Sequence, residues 1–193
     1  MRKMCSINYV LGICGHAGAG KDMVADYLVN KHGFIRMALA DPIKEIAHDY
    51  FGVPWEVLRV SAKPEKVRTL LQQLGTEVGR AYDPDIWVTH LGRELLNHPF
   101  EKIVITDVRF PNEAEAIVNK FGGDLILIQR PDNPNKGTSM MQHASETSVE
   151  KIPFDLFRTA FINLEGRQEE MFKEITVNVE EWIRCHSSRI TPE

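Results

Sequence analysis

The sequence predicts an α/β fold, a three-layer sandwich in which about five parallel strands form a sheet flanked by helices on both faces. Apolar segments rich in β-branched residues alternate with longer amphipathic segments, as in folds built from strand–helix–strand units. Two of the apolar segments are nearly uninterrupted, which is typical of parallel strands that are covered on both sides. The length of 193 residues is enough for one domain of ordinary size.

The composition argues against a membrane protein and against a general affinity for nucleic acids. Hydrophobic residues make up 43% of the chain and the net charge is −4. No run of about 18 apolar residues occurs, which a membrane-spanning helix requires. Cys5, Cys14 and Cys185 form no C-x-x-C pair, so a zinc site is not expected, and their odd number favours a reducing compartment. We therefore expect a cytoplasmic protein that has neither a membrane nor nucleic acid as a partner.

Each predicted element follows from local patterns of apolar, helix-starting and helix-ending residues. Gly33 ends the first helix, and Asp41 and Asp83 each precede a proline, which is typical of the first turn of a helix. Asn112, with a glutamate three residues later, predicts another helix start. The predicted strands span 7–14, 34–39, 102–106, 124–129 and 159–164, and the predicted helices span 21–30, 41–50, 64–80, 83–97, 112–121 and 166–185.

The stretch between the second and third predicted strands is too long for an ordinary crossover connection. We expect one domain over 1–193, with a core formed by 1–40 and 100–186 and a helical, substrate-binding insertion over 41–99. The polar segment 130–146 contains prolines and a glycine, which predicts a lid-like loop.

The segment between the first strand and the first helix matches the pattern G-x-x-x-x-G-K of a phosphate-binding loop. Glycines let the backbone curl so that successive N–H groups point at phosphate oxygens, and the following helix N-terminus adds partial positive charge. Lys21 brings a full charge to the β- and γ-phosphates of a nucleotide, so we expect it to be catalytic. The residues predicted to bind the phosphates are Gly15, Gly18, Ala19, Gly20 and Lys21.

The residue after Lys21 departs from the usual pattern, in which a serine or threonine hydroxyl binds Mg²⁺. Asp22 stands there and Met23 follows it, and we include both among the residues that bind the nucleotide or its metal. A carboxylate suits Mg²⁺, directly or through water, because this ion prefers hard oxygen ligands. The same carboxylate could instead cap the first helix, so Asp22 has two open interpretations.

A second charged group follows the strand predicted over 102–106. Asp107 stands where an acidic residue often organises Mg²⁺, and Arg109 has a planar guanidinium that can bind two phosphate oxygens. The carboxyl ends of parallel strands face the ligand crevice, so we expect Asp107 and Arg109 to be catalytic, with Glu113 beside them. The alternative for this group is a surface salt bridge together with a helix cap.

A polar ridge is predicted on the helix over 64–80. Arg68, Gln72, Thr76 and Arg80 recur every four residues, a pattern that by itself is more often a solvated helix face. Trp87, taken alone, is more often a core residue than a surface on which a base stacks.

The polar loop holds three further candidates. Arg130 and Lys136 could contact the phosphates of ATP, because phosphoryl transfer needs cations around the developing charge. His143 is a lone histidine in a loop, and such residues are usually inert.

A series of short motifs runs through nearly the whole chain. Gly-Lys-Asp at 20–22 is followed by Ala-Asp-Pro at 40–42, Leu-Gly-Thr at 74–76, Asp-Pro-Asp-Ile-Trp at 83–87, Asp-Val-Arg-Phe-Pro-Asn-Glu at 107–113 and His-Ala-Ser-Glu at 143–146. Together these motifs resemble those of the deoxynucleoside monophosphate kinases of tailed bacteriophages. The segments at 74–87 and 107–113 are much more specific than the phosphate loop.

The resemblance implies a P-loop fold and the transfer of the γ-phosphoryl group of ATP to a deoxynucleoside 5′-monophosphate for DNA precursor synthesis. It implies ATP and Mg²⁺ as cofactors, a monophosphate-binding role for the insertion, a homodimer as in related kinases, and the host cytoplasm as location. By resemblance, Gly18, Gly20, Lys21 and Asp22 hold ATP and its metal. The residues implied to form the monophosphate site are Arg68, Gln72, Gly75, Thr76, Arg80, Trp87, Asp107, Arg109 and Glu113.

Two other functions stay open at this point. A P-loop kinase for another small phosphorylated metabolite would share the loop and differ in the acceptor pocket. A non-catalytic protein that uses ATP as a structural ligand or switch would bind ATP without turnover.

Overall fold

A five-stranded parallel sheet organises the computed structural model, which describes residues 8–60, 63–133 and 147–188. The strands lie in the order β2-β3-β1-β4-β5, and every neighbouring pair is parallel. This arrangement confirms the predicted α/β fold. The strands are β1 (Tyr9–Cys14), β2 (Ile35–Met37), β3 (Lys102–Val108), β4 (Asp124–Gln129) and β5 (Thr159–Ile162).

The helices alternate with the strands as predicted, although one of them changes its hydrogen-bond pattern part-way. The helix predicted over 64–80 is α-helical only as far as Gln72 and continues as a π-helix, whose N–H groups reach five residues back. The α-helices are α1 (Lys21–His32), α2 (Asp41–Phe51), α3 (Trp55–Arg59), α4 (Glu65–Gln72), α5 (Ile86–Leu96), α6 (Pro111–Glu115) and α7 (Gln168–Ser188), and the two π segments are Gln73–Arg80 and Ala116–Lys120.

Two predicted boundaries are wrong for identifiable reasons. Asn112 is not an N-cap, because α6 begins at Pro111 with Phe110 as its N-cap. Proline suits the first helical position, since its missing N–H is not needed there. The strand predicted over 34–39 is reduced to Ile35–Met37, because Asp41 accepts the Ala38 N–H at 2.8 Å and turns the chain towards α2.

The described residues divide into two compact units, which we describe separately. The sheet unit consists of 8–37 and 95–188 and holds all five strands. The helical unit consists of 38–94 and holds α2, α3, α4, the first π segment and most of α5. Within the described parts of the chain, no helix combines the length and apolar character needed to cross a membrane.

The core of the sheet unit lies between β1, β4, α1 and α7. β1 is buried along its whole length and pairs with β3 on one side and β4 on the other. Because both faces of this central strand are covered, its run of apolar residues is uninterrupted, as a parallel sheet requires. The fully buried members of the core include Leu11, Ile13, Val24, Leu28, Ile126 and Ile175.

Candidate functional site

The loop between β1 and α1 has the backbone shape of a phosphate-binding loop. Gly15, Gly18 and Gly20 have φ angles of 148°, 80° and 99°, a region that other residues rarely adopt. A Cβ at Gly15 would lie 2.4 Å from the Ile128 carbonyl oxygen, so at this position close packing as well as backbone shape requires glycine. Ala19 is buried against the core, and Gly20 is the N-cap of α1. The loop therefore ends at a helix N-terminus, where anions bind well.

Lys21 is buried and folds back over the loop. Its Nζ donates hydrogen bonds to the Gly15 carbonyl at 2.6 Å and to the His16 carbonyl at 2.8 Å. An ammonium group is costly to bury unless it is hydrogen-bonded, and these carbonyls reduce that cost. The contacts place a positive charge inside the loop.

Two asparagines that the sequence analysis missed hold the same loop from outside. Asn163, buried directly after β5, donates its Nδ2 hydrogen to the Ala19 carbonyl at 2.9 Å. Asn133 donates its Nδ2 hydrogen to the Ala17 carbonyl, also at 2.9 Å. Their position after β5 and β4, at the carboxyl edge of the sheet, is the signal that could have identified them.

Asp22 is paired with an arginine in the sheet unit. Arg36 of β2 bonds Asp22 through Nη2 and bonds Asp26, one turn later, through Nη1 at 2.9 Å. Gly20 is the N-cap of α1, and Asp22 lies inside the first helical turn, where a negative charge is favourable. Its carboxylate is 65% exposed and so remains accessible to ions from solvent. No group of three or more His, Cys, Asp or Glu side chains forms a metal cluster among the residues that the structure describes.

Two apolar or sulfur-containing side chains border the phosphate loop. Met23 packs, partly buried, against the core of the sheet unit. Cys14, the last residue of β1, is fully buried, and burial raises the pKa of its thiol to about 12. The thiol therefore stays protonated at neutral pH and does not act as a nucleophile.

The predicted charged group lies at the carboxyl end of β3. Asp107 belongs to β3, and Arg109 follows the strand directly. Glu113 is buried, and its Oε2 accepts the backbone N–H groups of Arg109 at 2.7 Å and Phe110 at 2.9 Å. Glu113 thus caps the start of α6 and fixes the backbone that carries Arg109.

The phosphate loop and this charged group start from the same edge of the sheet. β1 and β3 are parallel neighbours, and Cys14 lies opposite Val108. The loop leaves β1 where Arg109 leaves β3, because parallel strands end at the same edge. Lys21 and Arg109 therefore lie on the connections that follow two adjacent strands of one unit.

Most of the predicted monophosphate residues belong to the helical unit. Arg68, Gln72, Thr76 and Arg80 are half-buried. Arg68 lies 3.9 Å from Glu65, and Arg80 donates to the Pro84 carbonyl at 3.3 Å.

Trp87 is buried, with 6% of its surface exposed, and packs inside the helical unit. Its indole N–H donates to the Gly75 carbonyl at 2.9 Å. Gly75 and Gly79 are the buried residues of the first π segment. An α-helix over 64–80 would place Val78 one turn after Leu74 on its apolar face, but Val78 is 62% exposed. The change to π spacing is the reason, because it alters which residues share a face.

A cavity of about 620 Å³ lies beside the phosphate loop in the sheet unit. Arg130 is one of its lining residues and is paired with Asp132 and Glu165, at 3.4 Å and 3.7 Å. Lys136, His143 and most of the lid-like loop predicted over 130–146 lie outside the described residues. Apolar and aromatic side chains provide much of the lining, among them Leu127, Ile128, Ile152, Phe154 and Phe157.

Comparison with known proteins identifies the family. No protein-family model matches the chain. A protein of Acanthamoeba polyphaga mimivirus that bears the name deoxynucleotide monophosphate kinase is 31% identical over 165 residues, which cover 74% of this chain and 83% of the viral protein. The chain belongs to the deoxynucleoside monophosphate kinase family. The resemblance stated from the sequence motifs is thereby confirmed.

A second member of this kinase family matches over a shorter region. The deoxynucleoside-5′-monophosphate kinase of Escherichia phage T5 is 35% identical over 85 residues, which are 42% of this chain and 34% of the phage enzyme. The protein ORF77 of Ictalurid herpesvirus 1 is 32% identical over 144 residues, which are 73% of this chain and 59% of that protein. The chain thus spans only part of these two relatives.

Solved structures agree on the fold of this family member. Shikimate kinase from Bacteroides thetaiotaomicron superimposes with a TM-score of 0.54 at 18% identity, covering 89% of this chain and 98% of that enzyme. Dephospho-CoA kinase from Campylobacter jejuni superimposes with a TM-score of 0.51 at 14% identity, covering 92% and 98%. At these identities the likeness concerns the fold alone, which is that of P-loop kinases.

Proposed function

We propose that the protein transfers the γ-phosphoryl group of ATP to a deoxynucleoside 5′-monophosphate and releases ADP and the diphosphate. The observation that carries the choice of acceptor is the 31% identity to the mimivirus protein, whose name states this class of kinase. An oxygen of the acceptor phosphate attacks the γ-phosphorus, and the bond to the β–γ bridging oxygen breaks with its electron pair leaving on ADP. Such transfers depend mainly on positioning and on charge neutralisation.

The sheet unit provides the donor site in this proposal. The glycine turns of the loop present N–H groups to the phosphates, and Lys21 contributes a positive charge held in place by the Gly15 and His16 carbonyls. The nucleoside of ATP would occupy the adjoining cavity, whose volume of about 620 Å³ is within the range of ligand pockets. Arg130 lines that cavity and would contact the phosphates.

A divalent cation such as Mg²⁺ fits the acidic residues of the site. Asp22 is an exposed carboxylate next to Lys21, and Asp107 is a second carboxylate at the end of β3. Mg²⁺ in phosphate-transfer sites usually keeps water and phosphate oxygens as most of its ligands, so one or two carboxylates are enough to hold it. When bound, the ion would neutralise charge on the β- and γ-phosphates.

This proposal assigns separate roles in acceptor binding to Arg109 and to the polar residues around Gln72. Arg109 would hold the phosphate of the deoxynucleotide, because its guanidinium can bind two oxygens at once, and Glu113 keeps its backbone in place. Gln72 would read a base edge with its amide group. Gly75, Thr76, Arg68 and Arg80 would form the rest of the pocket.

The test is ADP release from Mg·ATP with dGMP, dTMP, dCMP, dAMP and the matching ribonucleotides each offered as acceptor. ADP formation that depends on one or more deoxynucleotides is the expected result. ATP binding without ADP formation for any acceptor would contradict the proposal and favour a non-catalytic nucleotide-binding role. ADP formation with other phosphorylated metabolites alone would favour the other open kinase function.

A further inference from the structure

The first π segment, Gln73–Arg80, is the least usual element of the helical unit. π-helical hydrogen bonding is rare, occurs mostly as single turns and is frequent at functional sites. Here it extends over eight residues and includes Gly75 and Thr76, which are predicted to contact the acceptor. Because a π-helix of this length is unfavourable alone, its neighbours must hold it.

Trp87 of α5 provides a directional contact with this segment. The indole Nε1 donates to the Gly75 carbonyl at 2.9 Å, and the hydrogen bond is buried. The tryptophan is the donor of this bond, because the indole nitrogen has one N–H and no acceptor site. The polar end of the side chain is therefore engaged inside the protein.

The ring of Trp87 also leaves no room for a side chain at Gly79. A Cβ at Gly79 would lie 2.4 Å from Cζ2 and 3.0 Å from Cε2 of this ring. Gly75 faces α2 instead. A Cβ there would lie 2.9 Å from Cδ1 of Ile43, which is the flexible end of a side chain. The segment is thus packed between α2 and α5 at two glycines, and the tighter contact is the one with the indole.

We propose that Trp87 is a positioning residue for the acceptor site, which acts through the π segment and does not stack on the base. Its N–H bond to Gly75 and its packing on Gly79 keep the π spacing. That spacing sets the orientation of Thr76 relative to Gln72, which lies in the preceding α-helix. The inference rests on the proposed kinase function, since it concerns the acceptor of that reaction.

The first experiment compares Trp87→Phe with the wild type in steady-state kinetics with all four deoxynucleoside monophosphates. Phenylalanine keeps an aromatic face but cannot donate to the Gly75 carbonyl. We expect KM for every accepted deoxynucleotide to rise by about tenfold and by the same factor, as for the loss of one buried hydrogen bond. KM for ATP stays within about twofold, because the donor site belongs to the sheet unit.

The matched control is Trp182→Phe. Trp182 is also a buried tryptophan, but it lies on α7 beneath Arg158 in the sheet unit. This variant should unfold at a lower temperature and keep the wild-type KM for the acceptor. A general loss of packing would affect both variants in the same way, whereas a positioning role raises KM only for Trp87→Phe.

Gly79→Ala provides a second variant in case Trp87→Phe does not fold. Alanine is intrinsically better than glycine within a helix, so a harmful effect of this substitution must come from crowding of the added Cβ, mainly against the Trp87 ring at 2.4 Å and less against the Leu74 carbonyl oxygen at 3.0 Å. We expect the same acceptor-specific rise in KM.

Three outcomes decide the matter. An unchanged acceptor KM in a folded Trp87→Phe or Gly79→Ala variant overturns the positioning role. A rise in KM that differs among the bases also overturns it and indicates direct contact between the indole and the base. A wild-type protein that accepts no deoxynucleotide overturns the proposed function itself, and the inference falls with it.

Discussion

The phosphate-binding loop and the first π segment are both glycine-containing stretches next to an α-helix, yet different contacts hold their shapes. In the loop, Lys21 bonds carbonyls only five and six residues away, and the glycines supply the backbone angles themselves. In the π segment, Gly75 and Gly79 owe their environment to Ile43 and Trp87, which come from other helices. The comparison teaches that the shape of the phosphate loop is encoded locally, while that of the π segment depends on tertiary packing.

The largest effect on turnover is expected from a substitution in the phosphate loop. Lys21→Ala should lower kcat by about 10³-fold, because it removes the charge that the proposed function assigns to the transferring phosphoryl group. ADP release under saturating Mg·ATP measures the effect, and circular dichroism checks that the fold survives. The control is Lys31→Ala, which removes an exposed lysine from the last turn of the same helix. Wild-type turnover of Lys21→Ala would remove this lysine from the site.

A somewhat smaller effect is expected at Arg109, to which the proposed function assigns the acceptor phosphate. Arg109→Ala should reduce kcat/KM for the deoxynucleotide by about 10²-fold, since a bidentate, charge-assisted contact is lost. KM for ATP should change little. Arg184→Ala, an exposed arginine on α7, is the control. An unchanged kcat/KM for Arg109→Ala would exclude the residue from the acceptor site.

Asn163→Ala should produce the opposite pattern to Trp87→Phe. It removes the hydrogen bond to the Ala19 carbonyl and loosens the phosphate loop, so KM for ATP should rise by about tenfold. KM for the acceptor should stay near the wild-type value. Asn178→Ala removes a similar bond within α7, to the Glu174 carbonyl, and should leave both KM values unchanged. Equal rises in both KM values for Asn163→Ala would contradict the separation of the two sites.

The smallest expected effect is a pH-dependent change in the free energy of unfolding, caused by the buried thiol of Cys14 at the end of β1. The Cys14 thiol has a normal pKa near 9, and burial raises it to about 12 in the folded protein. Its contribution to stability is therefore complete below pH 9 and is lost as the pH rises towards 12, where the unfolded chain binds fewer protons. Denaturant unfolding of the wild type and Cys14→Ala between pH 7 and about 10.5 measures this difference. A stability gap that does not shrink with pH would contradict the burial of the thiol.

Labelling with iodoacetamide provides an independent check on the same residue. Cys185 is exposed and should react at pH 8, whereas the peptide containing Cys14 should stay unlabelled until denaturant is added. Rapid labelling of Cys14 in the folded protein would show that the edge of the loop opens readily.

The sequence was sufficient for those parts of the site that depend on neighbouring residues. The loop pattern from Gly15 to Lys21 requires only local backbone angles, and the structure contains the left-handed glycines at the expected places. The end of α1 at Gly33 follows the same logic, because a glycine at φ 66° closes the helix with bonds to Leu28 and Val29. The parallel sheet was predictable because uninterrupted apolar strands between helices have few other arrangements.

Other features could not be derived, because their causes are distant in the chain. The position of Asn163 after β5 indicates the carboxyl edge of the sheet, but it does not show that the amide bonds Ala19, which lies 144 residues away. The sequence leaves open whether Glu113 contacts the acceptor or caps a helix, and only the fold shows that it is buried and accepts the N–H groups of Arg109 and Phe110. The sequence also does not indicate that Asp22 forms an ion pair with Arg36, which lies on β2.

By itself the sequence determined the order of strands and helices, the phosphate loop and the family of the protein, since each depends on residues close together or on motifs. Only the tertiary structure decided that the helix after Gln72 becomes a π-helix and that Trp87 is enclosed against it. The physical reason is that helical propensity and apolar periodicity are properties of a segment. A change of helical hydrogen bonding is stabilised by side chains that only folding brings into contact.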